Sequence, residues 1–352
     1  MQQVERGLRQ RIERAEEGVR SPHANRKRHA LPRVVFIVGP TSSGKTSLGI
    51  RLAKLLDGEI INADARQVYR AVDIGTGKPP GRRIRKGNRG MYLVNGIPHY
   101  LMDFLPPDQS YTVTEWRESA MKAIRGIIRR KKLPIVVGGT GLYVSALIDN
   151  YQFPGVEAQP AMRAALESKS LEELVRALLI ADPGAARVVD LKNKRRVIRA
   201  FEVVTFSGLK FSEARSKAEP LVEAFQVGIQ WTPEALYDRL GGAIDDMMAL
   251  GLVDEVRALL KKGIAADAPA MTSIGYTDIA RHVRGELSLE EVTALIKLRT
   301  RQYTKRQLTW FKRDKRIHWA KNESAAVRVV KKWVATSHPD RGRASRSDHG
   351  DR

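Results

Sequence analysis

One segment of the chain combines an apolar strand, a glycine-rich loop and a helix, and it restricts the fold more than any other feature. Residues Val34–Val38 read VVFIV, which is typical of a strand buried on both faces. The loop Gly39–Thr46 reads GPTSSGKT and matches the pattern G-x-x-x-x-G-K-[ST]. Apolar residues at helical spacing then predict a helix over Thr46–Leu56. This order predicts a phosphate-binding loop between a parallel strand and a helix N-terminus.

The residue types in this loop have defined tasks around a phosphate group. Glycines allow backbone N–H groups to surround the phosphate, and the positive end of the helix adds attraction. We expect the Lys45 ammonium to contact the outer phosphate oxygens and the Thr46 hydroxyl to hold Mg²⁺, the expected cofactor. The motif does not reveal which phosphate compound binds. The predicted phosphate-binding residues are Gly39, Thr41, Ser42, Ser43, Gly44, Lys45 and Thr46.

Strands and helices alternate in the part of the chain that follows the loop. Two further buried strands are predicted at Glu59–Asn62 and Ile135–Val137, and a long helix with a threonine cap is predicted over Thr114–Lys132. Another strand is predicted at Phe225–Gln230, and a last long helix at Leu289–Phe311. Alternation of this kind predicts an α/β fold with a doubly wound parallel sheet.

Changes in composition divide the chain into five predicted regions. Residues 1–30 are polar and charged and are expected to be disordered or partly helical. An α/β core over 31–155 is followed by a helical insertion over 156–220, and the remainder of the core with basic C-terminal helices occupies 221–322. Residues 323–352 are expected to be a mostly disordered tail.

The charge balance and the absence of cysteine limit the classes of partner and cofactor. Sixty-two Lys and Arg residues against 39 Asp and Glu give a net charge of +23, which favours a polyanionic partner such as nucleic acid or an anionic membrane surface. With no cysteine, disulfides, zinc fingers and iron–sulfur clusters are excluded. No apolar run is long enough to span a bilayer and no secretory signal is recognisable, so we expect a cytoplasmic protein.

Polar residues follow two of the predicted strands. The strand EIIN ends in Ala63 and Asp64, and Thr140 comes shortly after the strand at Ile135–Val137. Because ligands of open α/β sheets bind beyond the carboxyl ends of the strands, both side chains should face the ligand of the phosphate-binding loop. A carboxylate at position 64 could ligate Mg²⁺, take a proton from a nucleophile, or cap the next helix.

Eight ordered motifs together resemble one enzyme family. They are GPTSSGKT, DARQVY, DIGTGKP, HYLMD, GGTGLY, RRVIRAFEV, SIGY and TRQYTKRQLTWF. Over roughly residues 33–320 the chain is similar to tRNA dimethylallyltransferases, and the lack of cysteine favours the bacterial type because the eukaryotic members carry a C-terminal zinc finger. The resemblance implies a P-loop kinase-like core with a helical insertion. It also implies transfer of a dimethylallyl group from dimethylallyl diphosphate to the N6 amine of the adenosine 3′ of the anticodon.

The resemblance implies roles for individual residues. Asp64 matches the general base, Thr140 a position near the transferred group, and Gln67 a residue that reads the adenine edge. Lys45 would stabilise the diphosphate leaving group. Ala65 stands where the family usually has serine, so a hydroxyl that could hydrogen-bond in the site is missing. The implied tRNA-binding residues are Asp64, Ala65, Arg66, Gln67, Thr140, Arg163, Arg195, Arg196, Arg199, Ser273, Gly275 and Tyr276.

Three basic clusters are further candidates for contact with RNA. They lie at Gly81–Arg89, at Lys192–Arg199 and along the last long helix, where Tyr303 and Trp310 share one helix face. We expect the anticodon stem-loop of tRNA and dimethylallyl diphosphate to be the partners, a membrane surface not to be a partner, and the protein to be a monomer. Three alternatives remain open: an adenylate isopentenyltransferase acting on a free nucleotide, a P-loop kinase or ATPase acting on nucleic acid, and an RNA-binding module without catalysis.

Overall fold

A predominantly parallel sheet of eight strands forms the centre of the structure, which is a computed structural model describing residues 30–86, 89–152, 156, 159–213 and 216–336. The chain divides into two units, 1–31 and Pro32–Arg352, and every element named below belongs to the second. The strands in the described residues are β1 (Arg33–Val38), β2 (Gly58–Asn62), β3 (Arg82–Lys86), β4 (Arg89–Val94), β5 (Ile97–Tyr100), β6 (Leu133–Gly138), β7 (Tyr151–Gln152), β8 (Ser216–Lys217), β9 (Glu223–Ile229) and β10 (Ile317–Ala320). Eight of them form the central sheet, and β7 and β8 pair antiparallel as a separate two-stranded sheet.

The order of the strands brings the predicted site residues to one edge of the sheet. The order is β10-β9-β1-β6-β2-β5-β4-β3, and the first six of these strands run parallel. Val35 of β1 pairs with Ile135 of β6, and Ile61 of β2 pairs with Val136 of β6. The loops after β1, β2 and β6 therefore open at the same carboxyl edge. The predicted doubly wound parallel sheet is confirmed.

Twelve helices accompany the strands in the described part of the chain. They are α1 (Lys45–Leu55), α2 (Val113–Arg129), α3 (Gly141–Ile148), α4 (Pro160–Glu167), α5 (Leu171–Ala181), α6 (Ala185–Val188), α7 (Lys194–Ser207), α8 (Pro233–Ala249), α9 (Leu252–Lys261), α10 (Tyr276–Val283), α11 (Leu289–Lys312) and α12 (Glu323–Ala335). Short 3₁₀ turns occur at Ile74–Thr76 and Pro269–Thr272. None of these helices is both long enough and apolar enough to cross a bilayer.

Apolar side chains cover both faces of the sheet. On one face, Leu48 and Leu52 of α1 pack with Val327 of α12 against β1 and β6. On the other face, the Trp116 indole of α2 stacks on Tyr143 of α3 with ring centroids 4.6 Å apart. Burial of these side chains supplies the hydrophobic stabilisation of the sheet and holds the loops at its carboxyl edge in place.

Helix α2 differs from its prediction at both ends. The cap is Thr112, not Thr114, because the Thr112 hydroxyl accepts the N–H of Glu115 while the Glu115 carboxylate accepts the N–H of Thr112. This reciprocal pair satisfies two backbone donors at the helix start. The helix ends at Arg129, ahead of Lys131, whose positive φ of 60° is incompatible with continuation.

The segment predicted as a helical insertion has its own hydrophobic core. Helices α4 to α7 lie within it, and Leu174, Leu178 and Val197 are buried there against one another. A separate core joins the chain after β2 to helices α9, α10 and α11, with Tyr276 fully buried at its centre. This second core lies beside the carboxyl edge of the sheet and supports the site described below.

The prediction of a mostly disordered region over 323–352 is wrong for its first part. Residues Glu323–Ala335 form α12, whose start is capped by the Asn322 side chain. Ala326, Val327 and Val330 are buried, and the Trp333 indole stacks on Phe225 of β9. Alternating basic residues conceal this apolar face in the sequence. The predictions for residues 1–29 and 337–352 lie outside the described residues.

Candidate active site

The phosphate-binding loop has the backbone conformation that its sequence predicts. Gly39 and Gly44 have positive φ angles of 142° and 87°, and Ser42 also has a positive φ, of 56°. The buried Ser43 hydroxyl donates to the Pro40 carbonyl at 2.8 Å. Glycine tolerates these angles without strain, so the loop can curl at the start of α1. Its backbone N–H groups and the helix N-terminus form a site suited to an anion.

Lys45 begins α1, and its ammonium lies inside the loop. The group donates to the Pro40 carbonyl. Burial lowers the pKa of Lys45 from 10.5 to about 8, and the nearby Asp64 carboxylate opposes that shift. A buried ammonium with a lowered pKa is stabilised by an added negative charge. This environment therefore favours binding of an anionic group beside Lys45.

A glutamine from a distant helix holds the loop from the other side. Gln307 of α11 is buried, its Oε1 accepts the Thr41 N–H at 2.9 Å, and its Nε2 donates to the Gly139 carbonyl at 2.9 Å. Both ends of the amide are thus used to join the phosphate-binding loop to the turn after β6. The motif TRQYTKRQLTWF contains Gln307, but no local pattern indicates this role.

Asp64 follows β2 and keeps one carboxylate oxygen free. Its Oδ1 accepts the Arg66 N–H at 2.8 Å, and its own N–H donates to Asn62 Oδ1 at 3.1 Å. Within the part of the chain that the structure describes, Oδ2 has no hydrogen-bond partner. The side chain therefore caps the turn with one oxygen and leaves the other available to a ligand.

Thr140 joins the turn after β6 to the turn after β2. Its hydroxyl accepts the Ala65 N–H at 3.0 Å, and its own N–H donates to the Ala63 carbonyl at 3.1 Å. Position 65 thus contributes its backbone to this contact, whatever its side chain. The two bonds keep the Asp64 turn in place next to α3.

Gln67 has a defined amide orientation. Its Nε2 donates to the carbonyls of Thr76 and Gly77 at 3.1 and 3.2 Å. Because carbonyl oxygens only accept hydrogen bonds, the nitrogen must face these two groups and the Oε1 must face away from them. Among the described residues Oε1 has no partner, so an acceptor atom is available to a ligand.

All of these side chains except that of Thr140 line one cavity of about 280 Å³, so the expected position of Thr140 facing the ligand is not seen in the cavity lining. Lys45, Thr46, Asp64 and Gln67 contribute polar atoms to its wall. The buried His99 imidazole also lines it, with Nδ1 3.0 Å from the Ile97 carbonyl, and burial lowers its pKa so that the neutral form is favoured. The apolar lining consists of Ile60, Met102, Val137, Ala243 and Met247. The cavity can therefore hold a ligand that has a charged part and an apolar part.

The oxygen-bearing side chains in this cavity fit a magnesium ion that takes most of its ligands from a substrate. Thr46 lines the cavity, and its hydroxyl makes no hydrogen bond to any described residue. In the described ranges no three acidic or histidine side chains gather as a metal cluster. Mg²⁺ commonly uses one or two protein ligands and completes its shell with phosphate oxygens and water. Thr46, with Asp64 nearby, matches that pattern.

Comparison with known proteins connects this geometry to one family. A family described as IPP transferase matches residues 67–314, and one described as isopentenyl transferase matches residues 32–99. The tRNA dimethylallyltransferase of Desulforudis audaxviator is 41% identical over 295 residues, which cover 82% of this chain and 91% of the relative. That of Geobacter metallireducens is 42% identical over 304 residues, covering 83% and 94%. The chain belongs to the tRNA dimethylallyltransferase family.

Solved structures agree with this family assignment. The tRNA isopentenylpyrophosphate transferase of Staphylococcus epidermidis has a TM-score of 0.61 and 33% identity, covering 87% of this chain and 99% of that chain. A eukaryotic dimethylallyltransferase acting on tRNA has a TM-score of 0.69 and 26% identity, covering 86% and 80%. The fold of this transferase is therefore that of its family.

Two arginines predicted to bind tRNA are engaged within the transferase itself. Arg163 forms a bidentate pair with the buried Glu202 at 2.7 and 2.8 Å, and Arg199 adds a bond at 3.1 Å. Burial alone raises the pKa of Glu202, but these hydrogen bonds outweigh it and lower that pKa to about 2. Arg195 and Arg196 are exposed, with Arg196 3.7 Å from Asp190. Arg195 is thus the member of this group best placed to meet an RNA phosphate.

Ser273, Gly275 and Tyr276, which the family resemblance implies as tRNA-binding residues, offer no exposed side chain to an RNA. All three residues are buried, the Ser273 hydroxyl donates to the Ala270 carbonyl, and the Tyr276 hydroxyl donates to Glu255. The exposed residues of this turn are Thr272 and Thr277. A side chain that is buried in the core cannot reach RNA. The motif instead belongs to the hydrophobic core that supports the site.

Helix α11 carries the predicted aromatic and basic faces in one element. Arg301, Lys305 and Arg306 are exposed, and none forms an ion pair with a described residue. On the inner side, burial and the nearby Asp64 raise the pKa of Tyr303 to about 12. A Cβ at Gly141 would collide with the Trp310 indole, which is 36% exposed. The helix therefore presents positive charge outward and packs its aromatic side against the site.

Proposed function

We propose that this protein transfers a dimethylallyl group from dimethylallyl diphosphate to the N6 amine of the adenosine 3′ of the tRNA anticodon. The supporting observation is that Lys45 and Thr46 line the same cavity as Asp64, whose Oδ2 has no hydrogen-bond partner among the described residues. A diphosphate on the loop and a base beside Asp64 would then be close enough to react. The apolar lining of the cavity suits the five-carbon group between them.

The reaction assigns one task to each polar group. The allylic C–O bond breaks, and its electron pair leaves with the diphosphate, whose added charge Lys45 and the loop N–H groups stabilise. The adenine N6 forms the new bond to carbon and loses a proton to Asp64. Mg²⁺ held by Thr46 and the diphosphate oxygens would supply further positive charge at the leaving group. The acceptor base must leave the stack of the anticodon loop to enter the cavity.

The surface of the protein indicates the size of the acceptor. A free nucleotide needs neither a separate helical insertion nor an exposed basic helix face. Arg301, Lys305 and Arg306 lie on the helix whose Gln307 lines the cavity, so an RNA backbone could follow this face while its base enters the cavity. This arrangement favours tRNA over AMP as the acceptor.

The proposal is tested with labelled dimethylallyl diphosphate and two acceptors, an anticodon stem-loop and AMP, each with Mg²⁺. We expect label in the stem-loop, located on the adenosine 3′ of the anticodon by nuclease digestion and mass spectrometry. A stem-loop with inosine at that position is the matched control, because inosine lacks the exocyclic amine. Label in AMP alone, or hydrolysis of ATP without any transfer, would overturn the proposal.

A further inference from the structure

The segment Asp73–Gly77 is held by a carboxylate that belongs to a distant helix. Glu255 lies in the first turn of α9, and its Oε2 accepts the N–H groups of Asp73 and Ile74, both at 2.9 Å. Its Oε1 accepts the hydroxyl of the fully buried Tyr276 at 2.5 Å. The carboxylate is therefore saturated by groups from two other parts of the chain.

Close packing reinforces these hydrogen bonds. A Cβ at Gly75 would lie 2.5 Å from Cε2 of Tyr276 and 2.8 Å from Cδ1 of Leu252. Burial and the neighbouring Glu255 raise the pKa of Tyr276, so its hydroxyl stays protonated and continues to donate. Glycine at position 75 thus lets the backbone rest directly on the tyrosine ring.

The other end of the segment is fixed by a buried lysine. The Lys78 ammonium has no exposed surface, and it donates to the Tyr69 carbonyl and to Asp103, both at 2.6 Å. Asp73 provides a third acceptor at 2.5 Å. With both ends held, the carbonyls of Thr76 and Gly77 have little freedom to rotate.

Those two carbonyls determine which atom Gln67 offers to the cavity. They accept from its Nε2, so its Oε1 is left to face a ligand. An amide oxygen attracts the N–H of an exocyclic amine and repels a carbonyl oxygen at the same place. If the segment moved, the amide could rotate and offer its nitrogen instead. Selectivity between the two kinds of base therefore depends on what holds the segment.

We propose that Glu255 and Tyr276 are positioning residues that fix the orientation of Gln67 and thereby select a base with an exocyclic amine over one with a carbonyl. This inference rests on the proposed function, because it assumes that the base enters the cavity beside Gln67. Neither residue touches the substrate. Their effect passes through the backbone of Asp73–Gly77.

The test measures dissociation constants for stem-loops with adenosine or inosine at the target position. We expect wild type to prefer adenosine by about tenfold, since one mismatched polar contact in a buried site has roughly that effect. Tyr276→Phe removes only the hydroxyl, and Glu255→Gln leaves one acceptor oxygen where two now accept the backbone N–H groups and the Tyr276 hydroxyl. Both should bring the ratio close to one while leaving the KM for dimethylallyl diphosphate unchanged. If Tyr276→Phe fails to fold, the same ratio measured for Glu255→Gln tests the proposal.

Two further variants separate positioning from general stability. Tyr100→Phe is the matched control, because the Tyr100 hydroxyl also donates to a buried carboxylate, that of Glu59, at 2.8 Å. It should lower the melting temperature and leave the adenosine preference intact. In a Gln67→Ala background, Tyr276→Phe should cause no further loss of preference.

The outcomes distinguish this inference from the proposed function. A wild-type protein that transfers no label to any stem-loop contradicts the proposed function. An active wild type whose preference for adenosine survives in Tyr276→Phe, or is lost equally in Tyr100→Phe, overturns the positioning role. The positioning role is also overturned if Tyr276→Phe still lowers the adenosine preference in the Gln67→Ala background.

Discussion

The two halves of the cavity are built in different ways. The donor half, where we expect dimethylallyl diphosphate to bind, is the continuous loop Gly39–Thr46. This loop lies between β1 and α1 and takes its shape from glycines. The acceptor half, where we expect the adenine base to bind, consists of Asp64 and Gln67. Contacts from Thr140 and from the segment Asp73–Gly77 hold these two residues. That segment depends in turn on groups far along the chain. Substitutions in the donor half should thus act directly on one ligand. Substitutions that affect the acceptor half can act through a series of intervening contacts.

The largest expected effect is that of Asp64→Asn, which tests the acceptor half at its centre. An amide cannot take the proton from N6, so turnover should fall by roughly 10²–10⁴-fold, while tRNA binding stays nearly intact. Single-turnover rates and stem-loop binding measure the two quantities. Asp57→Asn serves as the control, since Asp57 is exposed and pairs only with Lys132 among the described residues. Unchanged turnover in Asp64→Asn would remove this carboxylate from the chemistry.

Lys45→Ala tests the donor half and should have the second largest effect. Loss of a charged contact to the diphosphate should weaken use of the donor by roughly 10–100-fold and leave the affinity for tRNA almost unchanged. The KM for dimethylallyl diphosphate and direct binding of diphosphate provide the measurement. Lys54→Ala, at an exposed position of the same helix, is the matched control. Normal donor kinetics in Lys45→Ala would mean that the diphosphate binds elsewhere.

The difference between the two halves also explains what the sequence could predict. The phosphate-binding loop and the parallel sheet follow from local patterns, because glycine spacing and apolar runs are properties of neighbouring residues. Gln307 and Glu255 could not be predicted, since their partners are brought close only by the tertiary fold. Local patterns do not predict helix α12, because basic residues interrupt its apolar face.

Tyr276 shows that a recognised motif does not by itself reveal whether its side chains are exposed. An aromatic residue in a family motif suggested contact with RNA, yet the side chain is fully buried and hydrogen-bonded. Arg163 and Arg199 show the same limit, because their charge is largely used by Glu202. Charge and aromaticity in a sequence do not reveal which side chains the fold leaves exposed.

Lys305→Ala examines the outer face of α11 and should have a smaller effect. If Lys305 meets a backbone phosphate, its loss should weaken stem-loop binding several-fold, irrespective of the base at the target position, and reduce the salt slope by about one. Titrations over a range of salt concentrations measure both. Lys331→Ala, an exposed lysine of α12, is the control. Equal slopes for Lys305→Ala and wild type would place the RNA on another surface.

The smallest expected effect is a dependence of donor binding on pH, which arises from the protonation of Lys45. Because burial lowers the pKa of Lys45 to about 8, part of this group is neutral at pH 8.5 in the free protein. A bound diphosphate raises that pKa, so donor binding at pH 8.5 should take up a fraction of one proton, and affinity should decline as the pH rises above 8. Calorimetry in buffers with different ionisation enthalpies measures the uptake. The Lys45→Ala variant is the control for protons that the diphosphate itself gains or loses on binding. The same proton uptake in both proteins would show that Lys45 is fully charged before the donor binds.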